Sequence, residues 1–367
     1  MKSARTSVLL GVGLCLLTLI TFMIYRFDTD LLPQEAPKKV GFVILGDIQE
    51  PGWNASHYQG IKSACEKLGL TLLVRDRVED NSGQCPEAIR ELAGENVGMI
   101  FLCSYAYAAE AKDVMKEYKD IAFATVSFET RARNLTSCFV RMYQGRYLAG
   151  VLAGMKTKSG VIGYVAAIPN DEVCRGLNAF TIGARKMNPG VRVVVAWTGD
   201  WANPAVEKEK ARRLIKEAGA DILTYHQDEK AVPDAAEAAG VDFIGYNEVL
   251  TGYSEHNLTS IVCHWDIYYE DILRRYLKGE LSSLRNSWIG MDRDAVGLAE
   301  YSRKVTHEER SFLRQVRQRL GSGQEPIFSG ILYDREGNLR CREGETISDD
   351  ALLNHMDWLV QGVVTLD

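Results

Sequence analysis

The sequence predicts an α/β protein built from two doubly wound lobes. Short apolar runs alternate with helical patterns along most of the 367 residues, and this alternation is typical of parallel βαβ units. The pattern restarts near residue 147, and a chain of this length suits two domains better than one. The 32 glycines, against 9 prolines, favour many tight turns between strands and helices.

The first half of the chain predicts four strands with helices between them. The run at 40–45 is continuously apolar, as in a strand that is buried on both faces. The helical pattern that follows it ends at Gly69, because glycine readily adopts the backbone conformation that terminates a helix. The predicted strands are 40–45, 71–78, 97–103 and 121–126, and the predicted helices are 57–68, 86–93 and 107–118.

The second half continues the alternation. Asn203 and Pro204 are typical of an N-cap and a first helical turn, so they fix one helix start. A hairpin is predicted around residues 334–337. The predicted strands are 161–167, 191–197, 222–225, 241–245 and 258–263, and the predicted helices are 147–155, 173–187, 204–218, 234–239, 268–277, 308–320 and 351–360.

These elements predict how the chain divides. Residues 39–141 and 248–290 form the first lobe in this interpretation, and residues 142–247 and 291–367 form the second. Residues 27–38 are polar and read as a linker. In doubly wound sheets ligands bind beyond the carboxyl ends of the strands, so we expect a binding cleft between the two lobes.

Residues 1–26 predict a transmembrane anchor. Residues 8–25 carry no charge, and such a run just reaches across a hydrocarbon core of roughly 30 Å. Lys2 and Arg5 precede the run, which places the body of the protein on the extracytoplasmic face of the cell membrane. Two alternatives are open. The first is a cleaved signal peptide, which would need small residues after the run, and this chain has none there. The second is a lipoprotein modified at Cys15, in which the preceding residue is normally small, whereas here it is Leu14.

Composition and motifs favour a binding protein over an enzyme. The net charge of −6 gives no basis for binding nucleic acid. The cysteines form no CxxC motif, and the histidines lack metal-ligand spacing, so we expect no metal and no cofactor. No GxSxG or phosphate-binding loop occurs either, and no catalytic residue is predicted.

Two loops offer an aromatic residue at the mouth of a helix. Trp53, with Asn54 beside it, follows the first strand, and Trp201 occupies the corresponding loop of the second half. Two tryptophans on facing lobes can hold a flat ring between them, and stacking on each contributes about 1–3 kcal/mol. The residues His226, Gln227, Asp228 and Asn247 follow two further strands and add hydrogen-bonding groups to the same rim.

Several segments, in order, resemble the basic membrane protein family of solute-binding lipoproteins that serve ABC transporters. They are 40–45 with Gly52, Trp53, Asn54 and Gly60; 144–150 with Ala153 and Gly154; 175–185 with Asn188 and Pro189; 197–204; 240–247; and 356–362.

The resemblance implies a type I periplasmic-binding-protein fold, with a hinge between the lobes and purines or purine nucleosides as ligands. Trp53 and Trp201 then correspond to the aromatics that sandwich the purine, with Asn54 and Glu50 beside them. The nucleoside-binding branch has a lysine for the ribose near residues 258–263 and an aspartate after the strand 121–126. This chain has Cys263, His264 and Trp265 at the first place and Ser127 at the second.

The function expected from this resemblance is capture of a purine base or nucleoside and delivery to the permease of an ABC importer. A ligand-sensing module that signals to a membrane partner would use the same fold. An alternative of another class is a nucleoside hydrolase, which would need a carboxylate cluster or a metal.

Overall fold

The computed structural model describes residues 38–49, 52–126, 130–247, 250, 252–281 and 286–366. The predicted anchor with Cys15, Glu50, Ser127 and all of the linker except Lys38 lie outside the described residues. The described residues belong to one compact unit, which spans residues 37–367. Among them, no helix combines the length and the apolar character needed to cross a membrane.

Strands and helices alternate along the described chain, as the sequence predicts. The strands are β1 (Lys39–Ile44), β2 (Thr71–Arg75), β3 (Met99–Cys103), β4 (Ala122–Thr125), β5 (Leu135–Val140), β6 (Val161–Ala166), β7 (Arg192–Trp197), β8 (Ile222–His226), β9 (Asp242–Tyr246), β10 (Asn257–Cys263), β11 (Asn286–Ile289), β12 (Val296–Leu298), β13 (Leu332–Tyr333), β14 (Leu339–Cys341) and β15 (Val363–Thr365). The helices are α1 (Trp53–Leu68), α2 (Gln84–Gly94), α3 (Tyr107–Glu110), α4 (Lys112–Glu117), α5 (Met142–Lys156), α6 (Asp171–Met187), α7 (Pro204–Lys216), α8 (Ala231–Ala239), α9 (Trp265–Leu277), α10 (His307–Gly321) and α11 (Asp349–Asn354).

Two separate sheets form the centres of the two lobes. The first has the strand order β11-β5-β4-β3-β1-β2, and its strands pair in parallel. The second has the order β12-β10-β9-β8-β6-β7-β15, in which only β12 runs antiparallel to its neighbour. Strands such as β3 and β6 are buried throughout, which explains their continuous apolar sequences.

The boundary between the lobes differs in part from the sequence-based one. The range 248–290 was assigned to the first lobe, but β10 lies within it and pairs with β9 in the second sheet. The connection from β9 to β10 is short, so the two strands become neighbours in one sheet. The chain therefore returns to the first lobe after β10, where α9 packs against α1.

Three crossings between the lobes lie side by side. They are β5 to α5 at Arg141, β10 to α9 at His264, and β11 to the following turn at Gly290. The Arg141 amide donates to the carbonyl of Ile289 at 2.7 Å, and the His264 amide donates to that of Ala295 at 2.9 Å. Adjacent, hydrogen-bonded crossings are the arrangement expected of a hinge.

Helices α5 and α6 pack unusually closely in the second lobe. A Cβ atom added to Gly150 would lie 2.0 Å from the carbonyl oxygen of Phe180, and one added to Gly183 would lie 2.2 Å from that of Tyr147. Only glycine allows the backbones to approach so closely. This packing gives a physical reason for the glycines in the segment 144–154.

Two local predictions are corrected by the structure. The helix predicted over 351–360 ends at Asn354, because Asn178 binds the chain beyond it in an extended form. The Asn178 amide donates to the Trp358 carbonyl and accepts from the Val360 amide, both at 2.8 Å. Strand β5, which is buried throughout and contains Thr136 and Ser137, was not among the predicted strands.

The predicted hairpin around residues 334–337 is confirmed by the antiparallel pairing of β13 with β14. The cysteines of the described chain are free thiols, and all but Cys263 are buried, in line with their interpretation as small apolar residues.

Candidate functional site

Residues that follow the carboxyl ends of the two sheets meet across a cleft. A Cβ atom on Gly52, before α1, would lie 3.1 Å from the carbonyl oxygen of Asp228, after β8. Gly52 also has a φ of +97°, which favours glycine. Deeper in the cleft, the indole nitrogen of Trp265 donates to the side-chain oxygen of Asn247 at 3.4 Å. The lobes are thus in contact at the cleft.

Trp53 forms part of an aromatic cluster on the first lobe. Its indole N–H donates to the Cys103 carbonyl at 3.3 Å. Its ring centroid is 4.0 Å from that of His57 and 5.6 Å from that of Trp265, which meets it edge to face. His57 is fully buried, and burial holds its pKa well below the ordinary value, so the imidazole is neutral. These contacts fix the half-buried Trp53 ring at the wall of the cleft.

Trp201 lies on the loop between β7 and α7 and is half-buried. Its carbonyl accepts a hydrogen bond of 3.0 Å from the Asp228 amide. Its ring meets that of His226 edge to face at 5.8 Å. Trp201 therefore belongs to the second lobe, on the side of the cleft that carries Asp228.

Gln227 holds the loop that carries Trp201. With the amide oriented by its surroundings, its oxygen accepts from the Thr198 hydroxyl at 2.6 Å. Its nitrogen donates to the carbonyls of Asp200 and Trp201, each at 2.9 Å. Gln227 is 2% exposed, and both ends of its amide are engaged. Its contribution within the site is to position Trp201.

The other sequence-predicted residues lie at the same edges. Asn54 accepts a hydrogen bond from the Gly46 amide at 3.2 Å. His226 is buried, and its Nε2 is 3.1 Å from the Tyr246 hydroxyl. Burial lowers the pKa of His226 far below its usual value, so this imidazole is also neutral. Glu50 lies outside the described residues.

Asn247 has a left-handed backbone conformation and a side-chain nitrogen without a hydrogen-bond partner in the described chain. Its φ is +56°, in the left-handed region, which asparagine tolerates better than most residues. Its side-chain oxygen accepts from Trp265 of the opposite lobe. Its side-chain nitrogen is buried and has no hydrogen-bond partner within the described residues. Such a donor is costly unless something accepts from it.

Three charged residues beneath this edge were not predicted from the sequence as part of the site. Arg146 on α5 is fully buried, and one guanidinium nitrogen donates to the Tyr225 carbonyl at 2.7 Å. Its other two guanidinium nitrogens have no hydrogen-bond partner within the described chain. The central carbon of the guanidinium, Cζ, lies 3.9 Å from the centre of the Tyr246 ring. The sequence gives little sign of this burial, since an arginine in a helix normally faces solvent.

Two further charged residues, Glu172 and Arg175, stand at the start of α6. The Arg175 guanidinium donates to the Leu352 carbonyl at 2.6 Å. Burial raises the pKa of the Glu172 carboxyl, although Arg175 and Arg146 act in the opposite direction. Both residues line a cavity of about 20 Å³ between the lobes. They follow β6 and could have been found by the same rule that found Trp201.

A larger hollow lies elsewhere. Its volume is about 310 Å³, and it lies beside β15 with Arg192, Arg213 and Val364 in its lining. It shares no residue with the cleft, and its arginine Arg213 is paired with Glu217 at 2.9 Å. Within the described residues, no group of histidine, cysteine and acidic side chains could hold a metal ion.

Comparison with known proteins identifies the family. Residues 37–324 match the PnrA-like substrate-binding proteins of ABC transporters, the Bmp family. The chain belongs to this family. It is similar to a purine-binding protein of Brucella abortus, with 31% identity over 90% of this chain and 93% of that one. It is also similar to a candidate ABC transporter glucose-binding protein of Haloferax volcanii, with 29% identity over 88% of this chain and 79% of that one.

Solved structures agree on the fold. A transcriptional activator of the comK gene from Bacillus halodurans superimposes with a TM-score of 0.70 at 26% identity, covering 78% of this chain and 99% of that one. An ABC transporter solute-binding protein from Conexibacter woesei superimposes with a TM-score of 0.63 at 20% identity, covering 78% and 97%. The α/β periplasmic-binding-protein-like fold expected for a family member is confirmed.

Glu207 is a buried acidic residue next to the loop that carries Trp201. Its carboxylate is fully buried at the start of α7, where one oxygen accepts from the Asn203 amide at 3.0 Å. The other oxygen has no partner within the described residues. Burial raises the pKa of Glu207 to about 7, and Glu229 and Asp200 contribute in the same direction.

We expect the stability of the protein to fall as the pH rises from about 5 to 8. The folded state binds the Glu207 proton more tightly than the unfolded chain does. This proton therefore stabilises the fold at low pH, and the stabilisation is lost as the pH rises through the pKa of the folded state. Glu207→Gln keeps the acceptor for Asn203 and removes the charge. The free energy of unfolding of this variant minus that of wild type should therefore be about 2 kcal/mol higher at pH 8 than at pH 5, because only wild type loses stability over that range. Urea unfolding at both pH values measures this, and an equal difference at the two would contradict it.

Proposed function

We propose that the protein binds a free purine base between Trp53 and Trp201 and delivers it to an ABC importer. The observation that carries this proposal is the placement of the two tryptophans on opposite lobes, each at the carboxyl end of its sheet. The similarity to a purine-binding protein over most of both chains supports it. Asn54 and Asn247 supply edge contacts, and the unpaired amide nitrogen of Asn247 is a donor for a ring nitrogen or a carbonyl.

Trp265 favours a base over a nucleoside. It is 2% exposed, stacks on His57 with ring centroids 3.7 Å apart, and spans the lobes through Asn247. It therefore fills space beside Trp53 that a sugar would need. Cys263, at the end of β10, offers only a thiol with a pKa raised by burial. A thiol is a weak hydrogen-bonding group, so the hydroxyls of a buried ribose would gain little from it.

We expect adenine or another free purine base to bind at least tenfold more tightly than its nucleoside, a difference of about 1.4 kcal/mol. Burial of sugar hydroxyls without partners costs about 1–3 kcal/mol each, which is the physical reason. Calorimetric titration with adenine, hypoxanthine, adenosine and inosine measures the four affinities. A nucleoside that binds as tightly as its base would overturn this prediction.

Binding requires the lobes to separate and close again. The cavity between them measures about 20 Å³, which has room for about one water molecule and is far too small for a purine. The hinge at Arg141, His264 and Gly290 gives the lobes a place to rotate. Ligand contacts to both lobes then stabilise the closed state, which is the form that an importer would recognise.

Transport and sensing use the same closure. A permease gene beside this one would favour delivery to an importer, whereas a kinase or chemoreceptor gene would favour signalling to a membrane partner. A nucleoside hydrolase is a function of another class, and incubation with inosine would release free hypoxanthine if it were correct. Stable inosine, together with saturable adenine binding, supports the binding protein.

We place the protein on the extracytoplasmic face of the membrane, with residues 1–26 retained as the anchor. The support is the uncharged run 8–25 and the absence of small residues after it in the sequence. Intact-mass measurement of protein extracted from membranes tests this. Loss of residues 1–26, or a lipid on Cys15, would contradict it.

A further inference from the structure

The cavity between the lobes contains a carboxylate that lacks a hydrogen-bond donor. Glu172 has a side chain that is 23% exposed, and one of its carboxylate oxygens lies 3.9 Å from Nε2 of His226. That separation is too long for a hydrogen bond. No hydrogen bond reaches Glu172 from the part of the chain that the structure describes. A carboxylate largely removed from water gains stability from an added donor.

Glu172 lies between the two aromatics of the proposed site. On the second lobe, His226 is its neighbour, and the ring of His226 meets that of Trp201 at 5.8 Å. On the first lobe, Phe139 lines the same cavity as Glu172, and its ring is 6.2 Å from that of Trp53. A ring held between Trp53 and Trp201 therefore has this carboxylate near its edge.

Glu172 remains available to accept a hydrogen bond from a ligand, because the neighbouring charged groups make their hydrogen bonds elsewhere. Asp171, the other carboxylate in the cavity, already accepts from the Met356 amide at 2.7 Å. Burial raises the pKa of Glu172, and the positive charges of Arg175 and Arg146 counteract this by favouring its charged form. Within the described residues neither arginine makes a hydrogen bond to Glu172: one Arg175 nitrogen donates to the Leu352 carbonyl, and one Arg146 nitrogen donates to that of Tyr225.

We propose that Glu172 accepts a hydrogen bond from the ring N–H of the five-membered ring of a free purine base. This inference rests on the proposed function and names the residue that selects the ligand class. A free base carries a proton on N9, whereas a nucleoside carries the sugar there. A carboxylate aimed at N9 forms a charge-assisted hydrogen bond with the base and is left without its donor by a nucleoside.

The test compares adenine with 9-methyladenine, which lacks the N9 proton but has no sugar. Both are titrated calorimetrically into wild type and into Glu172→Gln. Wild type should bind adenine at least tenfold more tightly than 9-methyladenine. In Glu172→Gln the adenine affinity should fall until the two ligands differ by less than about threefold. A thermal melt of each variant confirms that it is folded.

Glu308→Gln is the matched control. Glu308 and Glu172 are both the second residue of a helix in the second lobe, so each substitution removes the same charge from a first helical turn. Glu308→Gln should keep the wild-type ratio. Equal binding of the two ligands to wild type, or an unchanged ratio in Glu172→Gln, overturns the inference while the proposed function stands. Failure of adenine to bind wild type overturns both.

Discussion

Gly150→Ala should destabilise the second lobe by about 3 kcal/mol or more, because the new methyl group would overlap the backbone of α6. The added Cβ would lie 2.0 Å from the Phe180 carbonyl oxygen, and backbone cannot move aside as a side chain can. Overpacking of this kind typically costs about 1–3 kcal/mol, and more where the helices must separate. Urea unfolding followed by circular dichroism measures the loss.

Gly94→Ala provides a matched control for this substitution. Gly94 lies at the end of α2, and a Cβ there would meet nothing within 4 Å. The same change should then be neutral or stabilise the protein by about 0.4–1 kcal/mol. Similar free energies of unfolding for the two variants would show that α5 and α6 are not held together by the close approach at Gly150.

Trp201→Ala should weaken adenine binding by about 1–3 kcal/mol, or 5- to 150-fold, because the purine loses one of its two stacking surfaces. The fold should persist, since Trp201 is half-buried on a loop that Gln227 and Asp228 hold through its backbone carbonyl. Trp201→Phe should recover most of the affinity. Calorimetric titration of each folded variant gives the values.

Tyr333→Ala is the control for the loss of an aromatic side chain. Tyr333 is 42% exposed on β13, which belongs to the separate two-stranded hairpin, and its removal should leave adenine affinity unchanged. If folded Trp201→Ala binds adenine as tightly as wild type does, Trp201 does not form a wall of the site.

Local sequence patterns predicted most strands of the two sheets and the edge at which the candidate site lies. Continuous apolar runs such as that of β3 indicate burial on both faces, and alternation with helices indicates parallel pairing. The position of β10 was not predictable in this way. Its sequence specifies a strand, but the sheet that it joins depends on pairing with β9, which is a tertiary contact.

The polar residues of the candidate site also depend on tertiary contacts that local sequence patterns do not predict. Trp53 and Trp201 could be found because an aromatic residue between a strand and a helix stands out in the sequence. Arg146 could not be read as part of the site, since an arginine in a helix normally faces solvent. It is buried here because α5 lies inside the second lobe, where one guanidinium nitrogen donates to the Tyr225 carbonyl and the guanidinium packs on the Tyr246 ring.

Calorimetric titration of the wild-type protein with adenine, with glucose as the comparison ligand, tests the central claim most directly. The lobes carry two tryptophans at one cleft, together with an asparagine amide nitrogen that has no partner among the described residues. We predict saturable binding of one adenine per chain, with no detectable binding of glucose. Saturable binding of glucose, or no heat with adenine at millimolar concentration, would contradict the assignment of this cleft to a purine base.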